Sequence, residues 1–166
     1  MPTRKLLLSF ALIAIAIVLT LSQRQVYPHI DHTLMLQRID GEQQHFADFH
    51  GKPLLVTFWS PTCVICMHEV DALNTLYEQG GRGHDFELLG ISMFYDRPDH
   101  VLAAHKRAAM QYPVYLDLDS AIATAFGRVQ VTPTSFVINS NGEIVLKLDG
   151  KLDFNLINKK LKQLTV

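Results

Sequence analysis

The chain has 166 residues, 48% of them hydrophobic and 19% charged, with a formal net charge of −1. That length suits one domain with a single core, and a monomer is expected. The near-neutral charge gives no electrostatic basis for binding nucleic acid or an acidic lipid surface, and no low-complexity tract or internal repeat suggests an array.

Arg4 and Lys5 precede an apolar run over residues 6–21 that only Ser9 and Thr20 interrupt. Its length falls between the core of a cleaved signal and a full membrane span. The best cleavage site, Thr20-Leu21-Ser22, is a poor small-x-small match, and no cysteine follows to accept a lipid. Basic residues ahead of the run place the N-terminus on the cytoplasmic side. Residues 1–22 are therefore predicted to be an uncleaved transmembrane signal anchor, with a cleaved signal as the alternative; either exports the domain. Polar residues 23–32, with Pro28, read as a tether, and 33–166 as the folded domain.

Short strands are predicted at 34–39 and 44–46 around the turn Asp40-Gly41, then one helical turn over 46–53 closed by Gly51. Residues 54–58 are a short apolar run flanked by Pro53 and Ser60-Pro61, the pattern of a buried strand. Helical spacing of Cys66, Val70, Leu73 and Leu76 predicts a helix over 63–79, stopped by Gly80-Gly81. A strand at 86–92, a helix at 97–110 and an extended segment at 112–116 follow. A helix at 119–126 is expected, capped by Asp119 or Ser120 and ended by Gly127. Strands 135–138 and 143–148 form a hairpin across Asn141-Gly142, and an amphipathic helix at 153–164 closes the chain. Strands alternating with helices, then a hairpin and a helix, give an α/β domain with a mixed central sheet flanked by helices.

The only two cysteines, Cys63 and Cys66, sit three apart between the strand at 54–58 and the following helix. The sulfurs are close enough in sequence to bridge, and the first lies where free backbone N–H groups and the helix dipole stabilise a thiolate. Dithiol–disulfide exchange is the leading reading. A structural disulfide and half of a zinc site are the alternatives, but zinc needs two more ligands and no second Cys pair exists. So short a loop restrains little chain entropy as a purely structural bridge. An exported compartment is oxidising, so a working pair there needs a partner to reset it. Glu69, three residues after Cys66, can share its helix face and shuttle a proton, or can face solvent. His68 is turned away from Cys66.

In combination these features resemble the thioredoxin superfamily, and within it the membrane-anchored TlpA/ResA-like thiol–disulfide oxidoreductases. The resemblance rests on Phe58-Trp59 before Cys63-x-x-Cys66, on Glu69, on Val131-Thr132-Pro133-Thr134 ahead of a strand, and on an extra helix and strand between Gly90-Ile91-Ser92 and Tyr115-Leu116-Asp117. It spans roughly residues 33–164 and implies a thioredoxin-like fold with a TlpA-type helix–strand insertion. It further implies that Cys63 attacks, Cys66 resolves and Glu69 handles the proton. A cis Thr132–Pro133 bond would leave Thr132 to pair with an extended substrate, where local sequence alone suggests an ordinary trans turn. Trp59 would shield the disulfide and shape the substrate surface, or simply be core. Two residues depart from the pattern: Thr62 stands where such proteins commonly have Trp, and Thr57 where thioredoxin has a buried Asp.

The function implied is an extracytoplasmic reductase of protein disulfides, of the cytochrome c maturation or metal-site assembly type. A membrane thiol–disulfide reductase would be its electron donor, and it would need no cofactor or metal. Its place would be the bacterial inner membrane, single-pass with the domain in the periplasm, or secreted if the signal is cut. The rivals are a disulfide oxidase, ranked lower because Val64-Ile65 lacks the His and charge of strong oxidants, and a non-catalytic metal or haem chaperone using the same thiols. A peroxiredoxin is disfavoured, since its Pro-x-x-x-Thr-x-x-Cys pattern is absent before Cys63.

Overall fold

The structure, a computed structural model, describes residues 27–81 and 84–165. The anchor expected at 1–22 lies outside the described residues, and among those described no helix is long and apolar enough to cross a membrane. Ile30, within the stretch expected to be a tether, is 1% exposed and packs into the core.

The run Leu-Leu-Val-Thr-Phe-Trp has no solvent face in its sequence, and it forms β3 (Leu54–Trp59), buried at all six positions. Strands buried on both faces belong at the centre of a sheet covered by helices. On one side β3 pairs in parallel with β4 (Glu87–Ser92), which pairs in parallel with β5 (Val114–Leu116). On the other side β3 pairs antiparallel with β6 (Thr134–Ile138), which is joined by the Asn141-Gly142 turn to β7 (Ile144–Asp149). The hairpin β1 (Met35–Arg38) and β2 (Gln43–His45) completes a seven-stranded mixed sheet, ordered β2-β1-β5-β4-β3-β6-β7.

Period-two alternation along β3 sends Leu54, Val56 and Phe58 to one face, under the 3-10 turn Phe46–Phe49 and the short helix α3 (Ala121–Ala125). Leu55 and Trp59 face the other way, into a core closed by α1 (Val64–Leu76), α2 (Pro98–Arg107) and α4 (Phe154–Leu164). The expected helix–strand insertion is α2 and β5, with β5 bridging β4 and β1.

Three boundaries differ from expectation. The helix after the cysteines ends at Leu76 and widens into a π-type turn over Tyr77–Gly81. The next helix stops at Arg107 rather than 110: Ala109 turns left-handed (φ 49°), and Asn74 of α1 clamps that bend through Ala109 O (3.0 Å) and the Gln111 amide (2.8 Å). The third concerns the cap of α3. Ser120 occupies the cap position but is left-handed and makes no side-chain cap bond. Asp119 accepts only the Ala121 amide, and the buried Asp117 accepts the amides of Ile122 (3.1 Å) and Ala123 (2.9 Å).

Candidate active site

Strand β3 delivers its chain directly to α1, and Cys63 is the N-cap residue of that helix in extended conformation. Cys63 and Cys66 are joined as a disulfide with Cα atoms 5.2 Å apart. The Cys66 amide donates to Cys63 Sγ at 3.1 Å, the orientation in which a helix N-terminus favours negative charge on sulfur. Cys63 is half-buried, whereas Cys66, one turn in, is 4% exposed. A partner can therefore reach the first sulfur and not the second, which is the asymmetry that attack followed by internal resolution requires.

Glu69 lies on the inward face of α1 with Cys66, buried against the sheet. Its Oε1 accepts the Leu152 amide at 2.7 Å. Burial pushes its carboxyl above the ordinary range, opposed by that amide and by Lys151. A buried acid one helical turn from Cys66, with its carboxyl raised, is placed to exchange a proton at higher pH than an exposed glutamate would. On the same sheet face, the Ser135 hydroxyl donates to Thr57 Oγ1 at 2.9 Å, so a neutral hydroxyl pair fills the place of thioredoxin's buried Asp.

Register fixes what lies beside the disulfide. Phe58 pairs with Thr134, so the segment entering β6 sits next to the chain leaving β3. The Thr132–Pro133 bond in that segment is cis, with Pro133 buried and Thr132 half-buried. Its geometry is held from below: Gly150 donates its amide to Pro133 O at 2.8 Å, and the Thr134 hydroxyl bridges Val131 O (2.8 Å) and Asp149 Oδ1 (3.1 Å). Val64, Ile65 and Val131 stand exposed around this end of the sheet, giving the half-buried sulfur an apolar rim.

Trp59 lies in the core at 3% exposure, in the cluster that includes Cys66, Val70 and Tyr112. The indole is thus core packed in the same cluster as Cys66, and little of it is open for a substrate to touch. Gly90 allows this packing, because a Cβ there would stand 2.9 Å from Tyr112 Cε2 and 3.3 Å from Trp59 Nε1. His68 is exposed, and among the described residues no group of three or more His, Cys, Asp or Glu side chains is placed to hold a metal ion.

Sequence reasoning missed two contributors. Leu152, 83 residues from Glu69, supplies the amide that anchors the acid. Asp96, after β4, accepts the hydroxyl of the buried Ser60 at 2.9 Å, from 36 residues away. An acid in the loop after a parallel strand adjacent to β3 was the available signal, since such loops share the end of the sheet that carries the cysteines.

Among known proteins, the chain is similar to thiol-disulfide oxidoreductase ResA of Bacillus thuringiensis subsp. konkukian: 26% identical over 131 residues, covering 76% of this chain and 72% of that one. Its fold is similar to that of the exposed lipoprotein thioredoxin Etrx1 of Streptococcus pneumoniae (TM-score 0.70, 22% identity, 79% of this chain and 98% of that one). It is similar also to StoA of Bacillus subtilis (TM-score 0.68, 20% identity, 81% and 99%). These two show a thioredoxin-like architecture. Residues 29–147, from the first packed segment to β7, match the AhpC/TSA family, and the chain belongs to it.

Proposed function

We propose that this protein is a thiol–disulfide oxidoreductase that reduces disulfides in partner proteins on the outer side of a bacterial inner membrane. The observation that carries the reading is the reachable Cys63 sulfur at the α1 N-terminus, bridged to a buried Cys66 and flanked by the cis Thr132–Pro133 segment. The name of the ResA relative supports it.

In the reduced enzyme the Cys63 thiolate attacks one sulfur of the partner's disulfide. That S–S bond breaks, the partner's other sulfur leaves and takes a proton, and a mixed disulfide joins Cys63 to the partner. Cys66 then gives its proton to Glu69 and attacks Cys63 Sγ. The mixed disulfide breaks, the partner's second thiolate leaves, and the Cys63–Cys66 disulfide forms. Two electrons have passed to the partner. The backbone of Thr132 pairs with the extended partner segment, and Trp59 supports the site from beneath. A membrane thiol–disulfide reductase resets the pair, and the apolar run at 6–21 anchors the domain beside it. Substrates of the cytochrome c maturation or metal-site assembly type fit this role.

The test is the reduction potential of the pair by equilibration with thiol buffers, alongside insulin-disulfide reduction by the reduced protein. A value near or below about −250 mV supports a reductase, and one near about −120 mV reverses the electron flow and makes the protein an oxidant.

A further inference from the structure

A second carboxyl stands at the same end of the sheet, outside the exchange chemistry just described. Asp96 closes the turn after β4, with its amide donated to Met93 O at 3.0 Å. Its Oδ1 accepts the Ser60 hydroxyl at 2.9 Å, and its Oδ2 is buried with no hydrogen-bond partner among the described residues. Ser60 is 1% exposed and is the residue at which β3 gives way to the cysteine loop. With its proton committed to Asp96, the Ser60 oxygen accepts the Thr62 amide at 3.3 Å and lies 3.0 Å from the Thr62 hydroxyl. The Ser60 carbonyl accepts the Cys63 amide at 3.0 Å. One buried serine therefore holds both residues that bring the chain to the first sulfur, and one carboxyl holds the serine.

We propose that Asp96 is a positioning residue for Cys63: through Ser60 it fixes the turn that presents the sulfur, and its negative charge restrains thiolate formation there. The inference rests on the oxidoreductase reading and refines the behaviour of that same site. The sign follows from electrostatics, since a carboxylate tied through Ser60 to the turn that carries Cys63 opposes negative charge forming there. A less stabilised thiolate makes the dithiol a better electron donor, the direction a reductase needs.

The charged groups facing this carboxyl are few. His100 of α2 attracts it, while Arg97 is paired with Asp99 at 3.0 Å on the exposed side. Glu69 belongs to the other sulfur, held by Leu152 beneath α1. Burial pushes Asp96 above the ordinary carboxylate range, against the pull of the Ser60 hydroxyl, the Met93 backbone and His100, so its charge develops at higher pH than that of an ordinary carboxylate.

The experiment is the pH dependence of iodoacetamide alkylation of Cys63 in the reduced full-length protein, resolved from Cys66 by peptide mass. Asp96→Asn keeps an acceptor for Ser60 and removes the charge. Its alkylation curve should move to lower pH, with the acid-side rate up about threefold, the order expected of one partly screened charge. Asp96→Ala removes the acceptor as well, and its insulin reduction should fall about tenfold while far-UV circular dichroism is unchanged, the loss expected from a loosened attack geometry. The titration needs no turnover. An alkylation curve for Asp96→Asn that overlays the wild type therefore overturns the inference, while protein-disulfide reduction, read separately, still decides the reading beneath it.

Discussion

Replacing Glu69 by glutamine removes a proton site and leaves almost every contact in place. The side chain is 5% exposed, and its Oε1 accepts the Leu152 amide at 2.7 Å; an amide oxygen accepts that bond equally well. What changes is titration. Burial raises the Glu69 carboxyl above its ordinary 4.5, opposed by the Leu152 amide and Lys151. The folded state thus binds this proton more tightly than the unfolded chain does. The stability it contributes is fully present below the unfolded carboxyl range and is lost as pH rises through the raised folded value. Glu69→Gln has no such slope in that window, and on the alkaline side it should be at least as stable as the wild type.

The kinetic effect goes the other way. Without an acceptor for the Cys66 proton, resolution of the mixed disulfide should slow about 100-fold, the low end for a positioned acid–base group. The inflection belonging to Glu69 should vanish from the pH–rate profile. The single tryptophan, Trp59, packs in the cluster with Cys66, so its fluorescence can follow the step by stopped flow with a peptide disulfide from about pH 4 to 9. Glu69→Leu is the structural control. It leaves the Leu152 amide buried without an acceptor and should cost about 1–3 kcal/mol in urea unfolding. If Glu69→Gln overlays the wild type in rate at every pH, and its pH–stability curve runs parallel, Glu69 is an anchor for Leu152 and takes no part in proton transfer.

Cys66→Ser should accumulate mixed disulfides through Cys63, seen as non-reducing gel shifts that thiols abolish; no trapped species with a disulfide substrate in excess would count against attack by Cys63. Gly90→Ala places a methyl 2.9 Å from Tyr112 Cε2 and 3.3 Å from Trp59 Nε1, which should destabilise the domain by about 1–3 kcal/mol and alter Trp59 fluorescence. Asp117→Ala strips two amides of α3 of their acceptor in a buried site and should cost about 1–2 kcal/mol of unfolding free energy, with thiol exchange unaffected.

What the sequence made legible was local. The apolar run, the cysteine spacing and the following helical period are all encoded within about twenty residues, and each lands where expected: β3, the Cys63 cap, α1. The hairpin at Asn141-Gly142 was legible because its left-handed glycine (φ 83°) is a requirement of the turn itself. What stayed hidden depends on contacts across the chain. The end of α2 is set by Asn74, some 35 residues earlier, and no helix signal near Ala109 reports that. The α3 cap was sought at the nearest polar residues, whereas Ser120 is left-handed with no side-chain cap bond and Asp117, further back, accepts the amides of Ile122 and Ala123. Trp59 next to a reactive motif left two readings open, a surface shaped for substrate or simply core. The alternation that buries Leu55 equally buries Trp59 on the same sheet face, which a period-two count along β3 already implied.

The two halves of the site meet in one short turn. Gly150 donates to the carbonyl of Pro133, and Leu152, two residues on, donates to the Glu69 carboxyl. The segment beside which a substrate strand would lie and the acid beneath the resolving sulfur therefore share a single support between β7 and α4. Gly150 is left-handed (φ 85°) with open space where a Cβ would go, so the backbone conformation itself, rather than crowding, calls for glycine there. Thr57 and Ser135, paired as neutral hydroxyls on the same sheet face, contribute no carboxyl of their own. In the mechanism proposed above, proton handling next to Cys66 therefore rests on Glu69, a helix residue whose position depends on the turn. The Cys63 side has its own support in Ser60 and Asp96. The proposed roles thus assign each sulfur a different carboxyl, the buried Glu69 of α1 and the half-buried Asp96 of the loop after β4, and the two can be perturbed separately.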